Sequence, residues 1–232
     1  MTFNPVVLSL FEECEEKLSS PIFLVGGYLR DTLLGGESSD LDFACPVKPE
    51  VLASAFPDAT LFIRYGTVTF KEQGYHLTLA SFRKEGEYLD HRHPSYLSFS
   101  ATLEEDSCRR DFTVNAIYAK KDGSFIDPQH GLEDLKEKKI RIIGKDKAKR
   151  LREDPLRILR AYRFALRLGF SLEEESKKAL EDSLPLLQEL NPDKIKEEVA
   201  KAGKEHKKAL LEACHLYYLY PKEEGEKKHH GN

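Results

Sequence analysis

The chain has 232 residues, 33% of them charged, and a formal net charge of -4. That length suits one large domain or two small ones, and no apolar run approaches the length of a membrane span. The acidic balance excludes a globally basic nucleic-acid binder, so any RNA contact must come from a local basic face.

Acidic residues stand early, at Glu12 and Glu13, with no signal-peptide layout, which predicts a cytoplasmic location. Cys14, Cys45, Cys108 and Cys214 form no C-x-x-C pair and read as reduced thiols rather than disulfides or zinc ligands. In residues 6–18, Val7, Leu10, Phe11, Cys14 and Leu18 recur at helical spacing with glutamates on the other face. Pro5 suits the first turn of this helix and Asn4 its cap.

Residues 22–25 read as a strand, followed by the Gly26-Gly27 turn, a short helix opening on Tyr28-Leu29-Arg30-Asp31, and a second strand carrying Asp40-Leu41-Asp42. Two glycines let backbone N–H groups approach a phosphate. Strand alternation points Asp40 and Asp42 one way and Leu41 and Phe43 into a core. Two parallel carboxylates are costly without a cation between them, so the economical reading is a divalent-metal site, Mg²⁺, beside a phosphate cradle. A lone Gly-Gly is usually a turn and a lone Asp-x-Asp a solvated strand end; their combination in this order carries the functional reading. No Gly-Lys-Ser/Thr follows the glycines, so this is not a Walker loop.

A short surface helix is expected over residues 49–56. Strands follow at 59–64, 67–71 and 75–82, separated by Tyr65-Gly66 and Gln73-Gly74. Residues 83–100 are polar and aperiodic and read as a mobile loop, with His91 and His93 solvated for want of a third metal ligand. The spacing predicts one helix over 104–119, on which Arg109 and Asp111 cannot share a face while Arg110 and Asn115 lie closer together. A short strand and turn at 125–131, a helical turn at 132–136 and a strand at 139–143 precede a charged candidate boundary at 144–149. Beyond it the segments read helical: 155–168, ended by Gly169, then 172–187 and 193–202, with Ser171 and Asn191 as caps and Pro192 in a first turn. The charged tail over 223–232 reads as frayed, and its His229-His230 pair as no metal site.

Asp154, Arg157, Arg160 and Arg163 recur at intervals of three, setting one acceptor beside a row of forked donors. A carboxylate accepts from an exocyclic amino group, and a guanidinium donates to an unprotonated ring nitrogen. Cytosine and adenine present both on their pairing edge; uracil and guanine do not. The pair would favour C and A by about 1–3 kcal/mol per well-formed contact. A solvated, salt-bridged helix face is the default for such a charge run, but does not explain three arginines aligned behind one aspartate.

Gly26-Gly27-Tyr28-Leu29-Arg30-Asp31, Asp40-Leu41-Asp42, Arg109-Arg110-Asp111-Phe112-Thr113-Val114-Asn115-Ala116 and Glu153-Asp154-Pro155-Leu156-Arg157 stand in one order. Together they resemble the class II CCA-adding enzymes and bacterial poly(A) polymerases, within the nucleotidyltransferase superfamily of DNA polymerase β. The resemblance covers roughly residues 20–220. It implies an α+β fold: a nucleotidyltransferase head over residues 1–144, with a mixed, largely antiparallel sheet of about five strands, then an all-helical, nucleotide-selecting neck over 145–232. It implies addition of C and A from CTP and ATP to the 3′ end of tRNA, with Asp40 and Asp42 as the catalytic Mg²⁺ ligands. Gly26, Gly27 and Arg30 would hold the triphosphate, while Asp31 pairs with a nearby arginine. Arg110 would lie near the ribose or triphosphate, Asp154 and Arg157 would read the base, and Arg160 and Arg163 would face the phosphates or support the site. The loop over 83–100 resembles the family's flexible loop, implicated in switching from C to A.

Addition of CCA, CC, A or poly(A) remains open, as does a catalytically weak RNA- or nucleotide-binding module. Two departures bear on this. Thr78 stands where the family carries a third carboxylate, which puts the general base in question. Family members are longer, with body and tail domains, so this chain is expected to be a shortened form or a minimal enzyme that needs a partner to grip RNA.

Overall fold

The computed structural model describes residues 1–86, 95–99 and 101–219. His91, His93, His229, His230 and the charged tail lie outside the described residues. Helix α1 (Pro5–Leu18) begins as its sequence dictates: the Asn4 side chain accepts from Val7 N at 2.8 Å, and Pro5 occupies the first turn. It buries Val7, Leu10, Phe11, Cys14 and Leu18, each worth roughly 1.5–3 kcal/mol for a large aliphatic or aromatic side chain.

In order follow β1 (Phe23–Val25), α2 (Gly27–Leu33), β2 (Asp40–Cys45), α3 (Pro49–Ala55), β3 (Thr60–Phe62), a 3-10 turn (Ile63–Tyr65), β4 (Thr67–Glu72) and β5 (Tyr75–Ser81). Next come β6 (Lys84–Glu85), β7 (Leu97–Ser98), α4 (Leu103–Arg109), a 3-10 turn (Thr113–Asn115), β8 (Tyr118–Ala119), β9 (Phe125–Ile126), α5 (Gly131–Lys136) and β10 (Lys139–Ile140). The main sheet has seven strands in the order β3-β4-β5-β2-β1-β8-β9. Its neighbours pair antiparallel except β2 with β5. The mixed, largely antiparallel expectation is met, with two strands more than expected because Tyr118–Ala119 and Phe125–Ile126 extend the β1 edge.

Three local expectations are corrected. The segment 104–119 is not one helix. A capping box between Thr102 and Glu105 starts α4, but Arg110 turns extended, with ψ of 166°, and Phe112 bridges to Ile142. Thr113 N and Ile143 N bond to Arg141 O and Asp111 O, so the backbone here completes a sheet-like ladder that a helix could not offer. Within 83–100, β6 and β7 pair antiparallel, so the described ends of the expected loop form a ribbon. Ser171 is not a helix cap, because β11 (Ser171–Leu172) pairs parallel with β10; Glu173 caps the next helix instead, accepting from Glu175 N and Ser176 N.

The helices after β10 are α6 (Lys147–Glu153), α7 (Leu156–Leu168), α8 (Glu174–Ser183), α9 (Pro192–Ala200) and α10 (Gly203–Ala213). Gly169 closes α7 in the left-handed region with φ of 64°, a conformation that favours glycine. Helix α7 buries Ile158, Leu159, Ala161 and Phe164, and the Phe164 ring meets Phe112 edge-on at 5.7 Å. One continuous apolar core therefore runs from α1 through the sheet's helix-covered side to α9 and α10. A smaller cluster, Val25, Ala44, Phe82, Leu103 and Tyr118, lies on the opposite sheet face. Among the described residues no helix is long and apolar enough to cross a membrane.

Candidate active site

Strand alternation sets the first part of the site. Leu41 and Phe43 are buried in the main core, so Asp40 and Asp42 project from the other face of β2. Asp42 lies in a row with Val25 of β1, Tyr118 of β8 and Thr78 of β5, each directly opposite its neighbour. Gly26, with φ of 85°, turns the chain from β1 into α2 beside that row. A Cβ on Gly26 would lie 3.2 Å from Asp42 Oδ2, so the glycine leaves the space next to the carboxylate open.

Burial pushes the Asp42 carboxyl above its ordinary pKa; Arg110 opposes this, Asp40 adds to it, and a hydrogen bond from Thr78 opposes it. Asp42 is thus a carboxylate short of positive charge. Hard oxygen donors in this state suit a small divalent cation, and Mg²⁺ commonly takes one or two carboxylates and completes its shell with phosphates and water. Asp40 and Asp42, on one face of β2 beside the space that Gly26 leaves open, fit that pattern.

Arginines surround this pair. Arg30 is 3% exposed; its Nε reaches Asp31 Oδ1 at 2.7 Å, its Nη1 reaches Asn115 Oδ1 at 2.6 Å, and its guanidinium lies 4.8 Å above the Phe164 ring. Asp31 therefore pairs with an arginine, as expected. Arg110 donates to Tyr118 OH at 2.8 Å and Asp106 Oδ2 at 3.2 Å. Arg160 of α7 forks onto Asp111 Oδ2, with Nε at 2.8 Å. Burial would raise the Asp111 carboxyl, but Arg160, Asn115 and Phe112 N overcome it and hold the pKa down at about 2. Arg163 bonds to the buried Glu198 at 2.7 Å and stacks over Phe164 at 4.4 Å. That pairing ties α7 to α9.

The expected row on one helix is also corrected. Arg157, Arg160 and Arg163 belong to α7, but Asp154 is the extended residue that ends α6, with φ of -148°. Its side chain accepts from Leu156 N at 3.1 Å. Pro155 enforces the break, because it cannot donate a helical N–H and restricts the residue before it. Burial raises the Asp154 carboxyl pKa, while Arg157 opposes that shift. Arg157 Nη1 donates to Arg150 O at 2.6 Å, which fixes its stem along the α6–α7 corner.

Two clefts result. One, of about 380 Å³, is lined by Gly26, Gly27, Arg30, Asp40, Asp42, Arg110, Asp111, Arg160 and Arg163. The other, of about 330 Å³, is lined by Tyr65, Arg83, Arg109, Arg110, Asp111, Asp154, Arg157 and Arg160. Arg110, Asp111 and Arg160 belong to both. All ten candidate residues read from the sequence thus line one cleft or the other. Asp111 and Arg109 were missed as lining residues, since a continuous helix would have kept them on different faces. Phe112 held the available signal: a β-favouring aromatic after Asp111, a residue prone to bonding its own backbone, marks a place to leave the helix.

A mixed, largely antiparallel sheet with two carboxylates on one strand, abutted by an arginine-bearing helix, makes this an α+β protein. The same architecture is present in the Bacillus stearothermophilus CCA-adding enzyme in complex with CTP, with a TM-score of 0.75 and 32% identity over 86% of this chain and 49% of that one. It is also present in a tRNA nucleotidyltransferase complexed with a primer tRNA and an incoming ATP analog, with a TM-score of 0.71 and 33% identity over 90% of this chain and 59% of that one. In sequence, the chain is 41% identical over 180 residues to the CCA-adding enzyme of Leuconostoc mesenteroides, covering 77% of this chain and 45% of that protein. It is 40% identical over 180 residues to that of Geobacillus thermodenitrificans, covering 77% and 44%. Residues 22–141, more than half of the sequence, match the Poly A polymerase head domain, and the chain belongs to that family. Membership implies dependence on a divalent metal. The chain spans less than half the length of these two sequence relatives.

Proposed function

We propose that the chain transfers C and A nucleotides from CTP and ATP to the 3′ end of tRNA without a nucleic-acid template. The observation that carries this reading is the wall of Arg110, Asp111 and Arg160 shared by the two clefts. A nucleotide lying across that wall would place its triphosphate by Gly26, Gly27 and Arg30, and its base by Asp154 and Arg157. The relatives whose names include CTP, an ATP analog and a primer tRNA support the same assignment.

Asp40 and Asp42 would hold Mg²⁺, which when bound activates the 3′-hydroxyl and neutralises the leaving pyrophosphate. Thr78, in register with Asp42, would orient that carboxylate by hydrogen bonding where the family places a third carboxylate. Arg110 would place its charge on the ribose or triphosphate. Asp154 would accept from the exocyclic amino group of cytosine or adenine, and Arg157 would donate to the adjacent ring nitrogen. Arg160 would face the phosphates while Arg163 supports α7 from Glu198. We assign residues 1–144 to a catalytic head and 145–232 to a selecting neck; the division is one of role, since β10 and β11 pair across it. Action on tRNA in the cytoplasm follows from the same reading.

Incubating the protein with Mg²⁺, a tRNA lacking its 3′ end and each labelled nucleotide separately tests the proposal. Incorporation of C and then A is expected, lost in Asp42→Ala and widened to U or G in Asp154→Ala. A alone would indicate an A-adder or poly(A) polymerase, C alone a CC-adder, and no extension a nucleotide-binding module.

A further inference from the structure

The geometry points to Tyr118 as a positioning residue that aims the Arg110 guanidinium at the nucleotide, an inference that rests on the transfer reading above. Tyr118 is fully buried on β8, opposite Val25, which is itself opposite Asp42. Residues directly opposite across a sheet share a face, so Tyr118 projects from the same face as the candidate metal ligand. Its hydroxyl donates to Asp106 Oδ2 at 2.7 Å and accepts from Arg110 Nε at 2.8 Å. Asp106 Oδ2 in turn accepts from Arg110 Nη2 at 3.2 Å, closing a ring of three polar groups. Asp106 is itself fully buried and held by Arg109 Nε at 2.8 Å and Arg83 N at 3.2 Å, so the ring has a fixed base.

The consequence is orientational. An arginine has four side-chain torsions, and one contact leaves its planar fork free to swing. Here Nε and Nη2 are both engaged, which leaves Nη1 without a hydrogen-bond partner among the described residues and open to an anion. The Tyr118 ring lies 5.1 Å beneath the guanidinium, adding a second restraint on its plane. Phenylalanine at 118 would keep the ring, its packing and the cation–π contact, and remove only the hydroxyl. Arg110 would still be charged, still paired with Asp106 and still over the ring, but its fork would lose the contact that fixes Nε, leaving that buried N–H unsatisfied.

The test compares Tyr118→Phe, Arg110→Lys and the double variant by calorimetric binding of CTP and ATP, by incorporation into tRNA lacking its 3′ end, and by thermal midpoint. Tyr118→Phe should raise Kd and KM about tenfold, the scale set by one unmade buried hydrogen bond, with kcat close to wild type and the thermal midpoint a few degrees lower because the buried Nε–H loses its acceptor. In the Arg110→Lys background the same change should add little, because lysine lacks the Nε–H that the hydroxyl accepts. Wild-type affinity in Tyr118→Phe, or an equal loss in both backgrounds, would overturn the inference alone. A wild-type chain that binds neither nucleotide would overturn the transfer reading and this inference with it.

Discussion

The Asp111 carboxylate receives Arg160 Nε at 2.8 Å, joining the extended segment after α4 to helix α7 across 49 positions of sequence. Asp111 is also held by Asn115 Nδ2 at 3.1 Å and Phe112 N at 2.8 Å. A carboxylate so surrounded couples the fold to pH. Its native pKa, held at about 2, lies below the ordinary value of 3.8. The stabilisation is therefore present above pH about 4 and lost as pH falls through about 2, amounting to about 2 kcal/mol. Urea midpoints measured along that interval should fall for wild type, and Asp111→Asn should be less stable at neutral pH with a shallower acid limb.

Gly26 links fold and site through its backbone. Alanine there must adopt φ of 85° and place its Cβ 3.2 Å from Asp42 Oδ2. A non-glycine residue in such a region costs about 1–3 kcal/mol. Gly26→Ala should reduce incorporation more than Gly35→Ala, which shares the positive φ, at 79°, but whose Cβ would meet nothing within 4 Å. Equal effects of the two would show that the approach to Asp42 is immaterial.

Asp42 should behave oppositely to Asp111. Its pKa is raised by burial and by Asp40, so its ionised form weakens the metal-free protein at neutral pH, and the penalty fades as pH falls and the carboxyl protonates. Asp42→Asn should unfold at a higher temperature than wild type without divalent cations. Mg²⁺ with ATP should raise the wild-type midpoint by mass action and leave the variant's nearly unchanged. The variant should be inactive in both conditions.

Arg163 and Glu198 are 5% and 4% exposed and bond at 2.7 Å, fastening α7 to α9. Removing one member strands the other's charge. Glu198→Ala should destabilise by about 3–5 kcal/mol, whereas replacing both by apolar residues of similar volume should cost much less. Chemical denaturation of the two variants distinguishes a buried pair from an exposed one.

Local pattern encodes much of this protein. Alternation alone placed Asp40 and Asp42 opposite Leu41 and Phe43, because a strand has a period of two whatever its neighbours. Helical spacing and the Asn4-Pro5 pair located α1, since a cap and an apolar stripe act within one or two turns. The second centre was less legible. Spacing by three puts Asp154 on the helix of Arg157, yet Pro155 puts a corner between them, and a helical period over 104–119 parts Arg109 from Asp111 although the helix stops at Arg109.

Those differences share one physical cause. The sequence by itself determined what depends on near neighbours: the period of each element, the glycine bend, the donors and acceptors available for a base. Tertiary structure decided which of those groups meet. The bridge from Phe112 to Ile142, the fork of Arg160 on Asp111 and the bond from Arg30 to Asn115 draw on segments separated in sequence. Their formation rests on burial and pairing that no local pattern encodes.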